Sequence, residues 1–168
     1  FGDYKFTGWK DKDGNTYAEG QIIETLTEDL TLYAQWERTF TVTWVDWNGT
    51  ELEKDEKVAE GSTPSYDGET PTRTETEDII YTFTGWDKEL LPVTGDIEYK
   101  AVYSELHKNV KLIHADGTVG YYETVSAAVN ASTAGETVML LKDRTEMTIQ
   151  IVQDKDLTLD LNVKKITS

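Results

Sequence analysis

The chain has 168 residues, including 5 Trp, 9 Tyr and 4 Phe, which is enough apolar material for about two or three small folded units. Its 32 acidic and 16 basic residues give a formal net charge of -16, which repels phosphate backbones and anionic lipid and argues against nucleic acid and membrane surfaces as partners. It contains no Cys, which excludes a disulfide scaffold and a thiol nucleophile.

Residues 1–37 form the first predicted unit. A strand passes through Phe6, a turn follows at Asp13-Gly14, and an alternating strand runs from Leu30 to Trp36.

Residues 38–105 form the second predicted unit. It opens with an alternating strand at 39–44, one face of which carries Phe40, Val42 and Trp44. Asn48-Gly49 then supplies the two residues with positive φ that a tight hairpin needs.

The remainder of this unit is predicted to be a long loop and two strands. Residues 61–78 are polar and contain Pro64 and Pro71, which favours a loop. Residues 81–86 and 97–103 are predicted strands that complete an antiparallel, hairpin-rich sheet, and the sequence does not determine which parallel or crossover contacts the sheet contains.

One motif occurs in both units. Tyr-x-Phe-Thr-Gly-Trp stands at residues 4–9 and again at 81–86, and each copy precedes a strand opened by an Asp, Asp29 or Asp96. Alternate positions of the two Asp-opened strands match, namely Leu30, Leu32, Ala34 and Trp36 with Ile97, Tyr99, Ala101 and Tyr103. This repetition predicts a tandem array of small units copied for reach or multivalency. Only three residues precede Tyr4, so we expect the chain to start inside a repeat and to be a piece of a longer protein.

These residues resemble the Listeria/Bacteroides repeat, also called the internalin B-repeat, of bacterial surface proteins. The resemblance rests on the repeated motif, on the Asp-opened strands that end in an aromatic, and on the strand at 39–44 followed by Asn48-Gly49. It covers roughly the first two thirds of the chain. It implies small β-grasp-like modules that are secreted and anchored in series to the cell wall. The loop between Trp and Asp is longer in the first copy than in the second, so the two loops cannot share a binding geometry.

We call residues 1–37 the first repeat and residues 38–105 the second repeat. Residues 106–168, the third segment, differ in character from both. A strand at 110–113 and a turn at Asp116-Gly117 precede a helical run at 123–131, for which Thr124 is the predicted N-cap. Short alternating runs follow at 137–141, 147–152 and 157–161.

The order of elements in this third segment resembles the start of a right-handed parallel β-helix, whose first coil is capped by a short helix. Asn162 is followed by Val163, where the resemblance leads us to expect Gly. The predicted fold class is therefore mainly β, with tandem β-grasp-like modules followed by a short helix and strands that resemble the N-terminal cap of a parallel β-helix.

The aromatic residues are the main candidates for binding, because exposed Trp and Tyr can stack on sugar rings. Trp9 and Trp86 lie inside the repeated motif after an alternating Tyr-x-Phe, so we assign both to the core. Trp47 lies beside the predicted hairpin turn and, by strict alternation, on the face opposite Trp44. Trp47 is therefore the predicted ligand-stacking residue.

Two patterns that suggest other sites have simpler interpretations. Residues 91–95, Leu-Pro-Val-Thr-Gly, fit a sortase anchor, but no apolar span and basic tail follow directly, so we expect a loop. Asp11, Asp13 and Asn15 are spaced like calcium ligands, but Gly14 precedes the Asn and no bidentate Glu stands at the twelfth position. We expect a tight turn there and no metal site.

The predicted function is that of a non-catalytic repeat region of a bacterial cell-surface protein, extracellular and at the cell wall, which acts as a stalk, spacer or adhesion module. The sequence contains no Gly-x-Ser-x-Gly motif, His-rich metal spacing or phosphate-binding Gly loop, so we predict no catalytic residues and no cofactor. The expected partner is a host or environmental glycan or protein, without nucleic acid or membrane insertion. Two alternatives remain open: a carbohydrate-binding module, and the front end of a β-helix carbohydrate-active enzyme.

Overall fold

The structure, a computed structural model, describes residues 3–26, 28–145 and 156–167. Within these ranges the fold is mainly β with one short helix, which confirms the predicted class at that level. The elements in chain order are β1 (Tyr4–Lys10), β2 (Thr16–Tyr17), β3 (Tyr33–Val45), β4 (Glu51–Ala59), β5 (Ile79–Trp86), β6 (Ile97–His107), β7 (Val110–Ile113), β8 (Val119–Tyr122), α1 (Val125–Ala131), β9 (Glu136–Leu140), β10 (Arg144–Thr145), β11 (Leu157–Asp160) and β12 (Ile166–Thr167).

The chain separates into two compact units. Unit 1 contains Phe1–Pro71 and Gly85–Val102, and unit 2 contains Thr72–Thr84 and Tyr103–Ser168. The domain boundaries expected at 37/38 and 105/106 stay predictions, and each of them falls within a continuous strand, β3 or β6.

Strand β3 is the centre of unit 1. Its first half pairs antiparallel with β1, from Tyr33 opposite Lys10 to Arg38 opposite Tyr4. Its second half pairs antiparallel with β4 and parallel with β6. The resulting six-stranded sheet has the order β2-β1-β3-β6-β5, with β4 also paired to β3. The parallel contact between β3 and β6 joins segments far apart in sequence, and it is a kind of pairing that the sequence left open.

Three hairpins close with the same five-residue turn. Between β3 and β4, the Gly49 N–H donates to the Asp46 carbonyl at 2.9 Å and the Asp46 N–H donates to the Thr50 carbonyl at 2.8 Å. Equivalent pairs of bonds close the turns at 11–15 and 114–118. Each turn uses positive φ only at its Gly, which is 86° at Gly49. The expectation of positive φ at Asn48 is therefore wrong, because this turn places only its fourth residue in the left-handed region.

The residues predicted to share one face of the strand at 39–44 belong to the core. Phe40, Val42 and Trp44 are all buried in unit 1. The strand at Asp96 begins where expected, and its carboxylate accepts a hydrogen bond from the Thr41 N–H at 2.8 Å. This bond satisfies a backbone donor at a point where the β3–β4 register shifts. The predicted loop is also confirmed, since neither helix nor strand lies between β4 and β5.

Unit 2 contains the helix and a second sheet. Strand β7 pairs antiparallel with both β8 and β9. The Thr124 hydroxyl accepts a hydrogen bond from the Ala127 N–H at 3.1 Å, which confirms the predicted N-cap. The helix buries Val125, Ala128 and Val129 against apolar residues of β7 and β9, namely Val110, Leu112, Val138 and Leu140.

The last strands of unit 2 pair in parallel. Strand β11 lies beside β9 with Leu157 opposite Glu136, and β12 lies beside β10 with Ile166 opposite Arg144. Each strand thus pairs with one that precedes it by 21 or 22 residues. Asn162 and Val163 both have positive φ, and the Asn162 side-chain amide donates to the Leu140 carbonyl at 3.2 Å. The predicted run at 147–152 lies outside the described residues.

Candidate functional site

The aromatic residues of the second repeat pack together in unit 1. Trp44 is fully buried and stacks on Tyr99, with ring centroids 4.7 Å apart and planes 21° apart. Trp86 lies 4.7 Å from Trp44, and Tyr66 lies 5.0 Å from Trp86. The Trp44 indole N–H donates to the Asp55 carboxylate at 2.9 Å. The predicted core position of Trp86 agrees with these contacts, since the ring is half-buried against two other aromatics.

The loop that carries Tyr66 is held by an acidic side chain of β4. The Glu53 carboxylate accepts hydrogen bonds from the backbone N–H groups of Asp67 and Gly68, at 3.1 and 2.8 Å. Burial raises the pKa of the Tyr66 hydroxyl most, and the negative charge of Glu53 raises it further. Glu53 thus has a structural role that the sequence pattern did not reveal.

The first repeat has the same aromatic face, but much of it is exposed. In the β1–β3 register Phe6 lies opposite Trp36 and Trp9 opposite Ala34, which places these side chains on one face. The Phe6 ring is 5.1 Å from Trp9 and 5.3 Å from Trp36. Tyr4, Trp9 and Trp36 remain 46%, 37% and 48% exposed. We call Tyr4, Phe6, Trp9 and Trp36 the open aromatic face.

The prediction that Trp9 is a core residue is therefore wrong. Its counterpart Trp86 is covered by Trp44 and Tyr66, and both of these come from the 42-residue segment at 39–80. The motif alone does not bury its Trp, because burial depends on a partner segment elsewhere in the repeat.

Trp47, the predicted stacking residue, lies in the turn between β3 and β4. Its side chain is 43% exposed, and its position in the turn, not strand alternation, determines where it points. The Asp46 carboxylate accepts a hydrogen bond from the Trp47 N–H at 2.8 Å, within the turn. The exposure of Trp47 contrasts with the complete burial of Trp44 and Tyr99. Its role as a ligand residue stays a prediction.

Residues 91–95, the sortase-like pattern, lie in the loop between β5 and β6. Val93 is buried in the core of unit 1. Its carbonyl accepts from the Gly61 N–H at 2.8 Å and its N–H donates to the Ser62 carbonyl at 3.0 Å. These two bonds join the loop to Gly61 and Ser62, which follow β4. The position of residues 91–95 in a loop agrees with the prediction. A cavity of about 410 Å³ lies beside it and is lined partly by Leu91, Pro92 and Ile97.

The calcium-like pattern in the first repeat forms a closed turn. The Asp11 carboxylate accepts hydrogen bonds from the backbone N–H groups of Asp13 and Asn15, from the Asn15 side chain and from the Tyr17 hydroxyl, at 2.8 to 2.9 Å. The Asn15 amide is the largest influence that lowers the pKa of Asp11 from 3.8 to about 2. Among the described residues, no group of three or more His, Asp or Glu side chains is placed to hold a metal ion.

A His–Glu pair in unit 2 was not predicted from the sequence. His114 Nδ1 lies 2.8 Å from Glu136 Oε1, and Glu136 Oε2 accepts from the Thr133 N–H at 2.7 Å. Glu136 is buried, and the Thr133 N–H together with His114 lowers the pKa of its carboxyl. The pair ties the end of β7 to the loop before β9. Sequence spacing of 22 residues offers no signal for such a contact.

Comparisons with known proteins add no family to this description. No protein-family model, curated protein or solved structure matches the chain. Within the described ranges, no helix has the length and apolar character needed to cross a membrane.

Proposed function

We propose that this chain is a non-catalytic tandem-repeat region of an extracellular, cell-surface protein of a bacterium, and that it acts as a stalk or spacer that can present an adhesive surface. The observation that carries this proposal is strand β3, whose 13 residues continue from the first repeat into the second. Residues Tyr33 to Arg38 pair with β1 of the first repeat, and Thr39 to Val45 pair with β4 of the second. Two repeats that share one strand have no flexible linker between them, which suits a spacer.

Matching geometry at the repeated motif supports the tandem repeat. Gly8 and Gly85 occupy the same motif position and both have φ of 135°. The Phe6 and Trp36 rings lie 5.3 Å apart at 64°, and their counterparts Phe83 and Tyr103 lie 5.8 Å apart at 70°. The agreement of this backbone angle and this ring pair supports one recurring module. The parallel pairing of β3 with β6 across the β3–β4 hairpin supports a β-grasp-like arrangement for that module.

The strand pairing of residues 106–168 supports the proposal that this segment is the start of a parallel β-helix. Parallel pairs that recur at intervals of 21 and 22 residues are what successive coils of a parallel β-helix require. The Asn162 amide, which bonds to Leu140 one coil earlier, ties the two coils at a turn. This geometry favours a β-helix as the structure that the repeats adjoin, and it keeps the front end of a carbohydrate-active enzyme as an alternative.

A carbohydrate-binding module is the second candidate function. The observation that favours it is Trp47, a large apolar ring that is 43% exposed at the tip of a tight hairpin. A ring in this position can stack on a sugar without disturbing the core.

Binding and turnover assays on the full chain separate these functions. We expect no turnover of pectin, xylan, peptidoglycan or mucin, and no binding on a glycan array that depends on Trp47. Glycan binding that Trp47→Ala abolishes, while stability is unchanged, would move the assignment to a carbohydrate-binding module. Turnover that disappears with substitution of a single carboxylate would show an enzyme and contradict the proposal.

A further inference from the structure

The cavity of about 410 Å³ beside the loop between β5 and β6 is lined by residues of unit 1. We call it the loop cavity. Its apolar walls come from the loop and from the start of β6, namely Leu91, Pro92, Val93 and Ile97. Val93 is buried, and its backbone hydrogen bonds to Gly61 and Ser62 hold the middle of the loop in place. A cavity of this size with fixed and mainly apolar walls suits a small molecule.

The wall of the loop cavity also includes Tyr99, whose hydroxyl has no hydrogen-bond partner among the described residues. Tyr99 lies two positions after Ile97 on β6, so the two side chains lie on the same face of the strand. The Tyr99 side chain is fully buried, and its ring stacks on Trp44 with centroids 4.7 Å apart. A buried hydroxyl without a partner costs free energy. A ligand that forms a hydrogen bond with this hydroxyl therefore gains affinity.

The charged groups around the loop cavity disfavour an anionic ligand. Glu89, Asp96 and Lys88 line the cavity. The Lys88 ammonium is already engaged, because it donates to the Asp87 carboxylate at 2.8 Å and to the Glu98 carbonyl at 2.6 Å. An anion would thus meet two carboxylates and one cation that is already paired. A charged ligand of either sign would also lose its hydration against the apolar walls.

We propose that the loop cavity binds a small uncharged molecule with an apolar body and one oxygen, such as a phenol, and that the Tyr99 hydroxyl forms a hydrogen bond with that oxygen. A Tyr hydroxyl both donates and accepts, so it can pair with a hydroxyl or a carbonyl group. The matching position of the first repeat is Leu32, which has no hydroxyl, so the site belongs to the second repeat. This binding activity is separate from the spacer function and does not depend on it.

The test is binding of phenol to the full chain, followed through the side-chain methyl signals of Leu91, Val93 and Ile97 in NMR spectra. Toluene, which has a methyl group in place of the hydroxyl, is the matched probe. We expect both probes to shift these signals and to leave those of Leu112 and Leu140, in the core of unit 2, unchanged. Tyr99→Phe should weaken phenol binding by about threefold to tenfold and leave toluene binding unchanged, because only phenol loses a hydrogen bond.

Two further measurements check the wall and the hydroxyl separately. Leu91 is mostly exposed, so Leu91→Ala should fold, and it should weaken binding of both probes by similar factors because it removes apolar contacts from each. Tyr99→Phe should melt at the same temperature as the unsubstituted chain or at a higher one, because the hydroxyl that it removes has no partner in the fold.

Other results would overturn this proposal. Equal effects of Tyr99→Phe on phenol and toluene would show that the hydroxyl does not contact the ligand. The absence of shifts at the loop cavity, or equal shifts at Leu112 and Leu140, would show that the cavity is not a specific site. Benzoate that binds as tightly as phenol would contradict an uncharged ligand. A lower melting temperature of Tyr99→Phe would show that the hydroxyl already has a partner.

Discussion

Trp86 anchors the aromatic core of the second repeat. Its ring contacts Trp44 at 4.7 Å and Tyr66 at 5.0 Å between centroids. We expect Trp86→Ala to lower the free energy of unfolding by about 3 to 5 kcal/mol, because it removes a large ring from a packed cluster. Urea denaturation monitored by far-UV circular dichroism measures this loss.

Trp47→Ala is the matched control for that substitution. Trp47 is an exposed turn residue, so its removal should change the free energy of unfolding by less than about 0.5 kcal/mol. A Trp86→Ala protein as stable as the Trp47→Ala protein would show that the cluster does not hold the repeat together.

Asp11 makes the stability of the first repeat dependent on pH. Hydrogen bonds, led by that from the Asn15 side chain, lower its pKa from 3.8 to about 2. A lowered pKa in the folded state means that the ionised carboxyl stabilises the fold above pH 3.8 and that this contribution is lost as the pH falls towards 2. NMR titration of the Asp11 carboxyl carbon should give a midpoint near 2.

The corresponding variant is Asp11→Asn, with Glu19→Gln, a substitution of an exposed loop residue, as control. Asp11→Asn should flatten the fall in melting temperature between about pH 4 and pH 2, whereas Glu19→Gln should leave it unchanged. A midpoint near 4 for Asp11 would contradict the hydrogen-bonded turn.

At the scale of elements, the Gly of the repeated motif lies at an irregularity in β1, where the pairing register with β3 shifts between Phe6 and Gly8. Gly85 has φ of 135°, a conformation that residues with a side chain rarely adopt. We expect Gly85→Ala to cost about 1 to 3 kcal/mol in free energy of unfolding through backbone strain alone, because open space surrounds the added Cβ. Gly95→Ala is the control, since its Cβ also meets open space and its φ lies outside the left-handed region. Equal stability of the two variants would exclude strain at Gly85.

Elements with local signals were predictable from the sequence, and those that depend on distant partners were not. Helix α1 and its Thr124 cap follow from spacing and a hydroxyl within three residues, and both are confirmed. The parallel contact of β3 with β6 joins residues about 55 positions apart, for which no pattern in either strand is specific. The type of the turn at Asn48-Gly49 depended on the Asp46 carbonyl, which a two-residue signature does not include.

The candidate site likewise has features that could be predicted from the sequence and features that could not. The exposed position of Trp47 beside a hairpin could be predicted, because the turn signal is local. The open aromatic face could not, because the motif has the same pattern in both copies, whereas the residues that cover Trp86 lie outside the motif. The motif led us to expect burial of Trp9, but the motif does not include the residues that cover Trp86. A motif thus reports which side chains form a face, whereas the fold determines whether that face is covered.

At the scale of the whole molecule, the central claim is that consecutive repeats are joined by one continuous strand and not by a linker. Strand β3 provides this junction within unit 1, with β1 on its first half and β4 on its second. Because the backbone ladder continues through residues 37 and 38, bending at the junction would break hydrogen bonds on one side or the other.

The most direct test is the distance distribution between two spin labels, one on each repeat, measured by pulsed electron paramagnetic resonance. The chain has no Cys, so Lys5→Cys on β1 and Glu56→Cys on β4 introduce unique labelling sites. The control carries Gly-Ser-Gly-Ser inserted between Glu37 and Arg38, which should broaden the distribution. We predict a single narrow distribution for the chain without the insertion. A distribution as broad as that of the control would contradict a rigid junction and, with it, the spacer function.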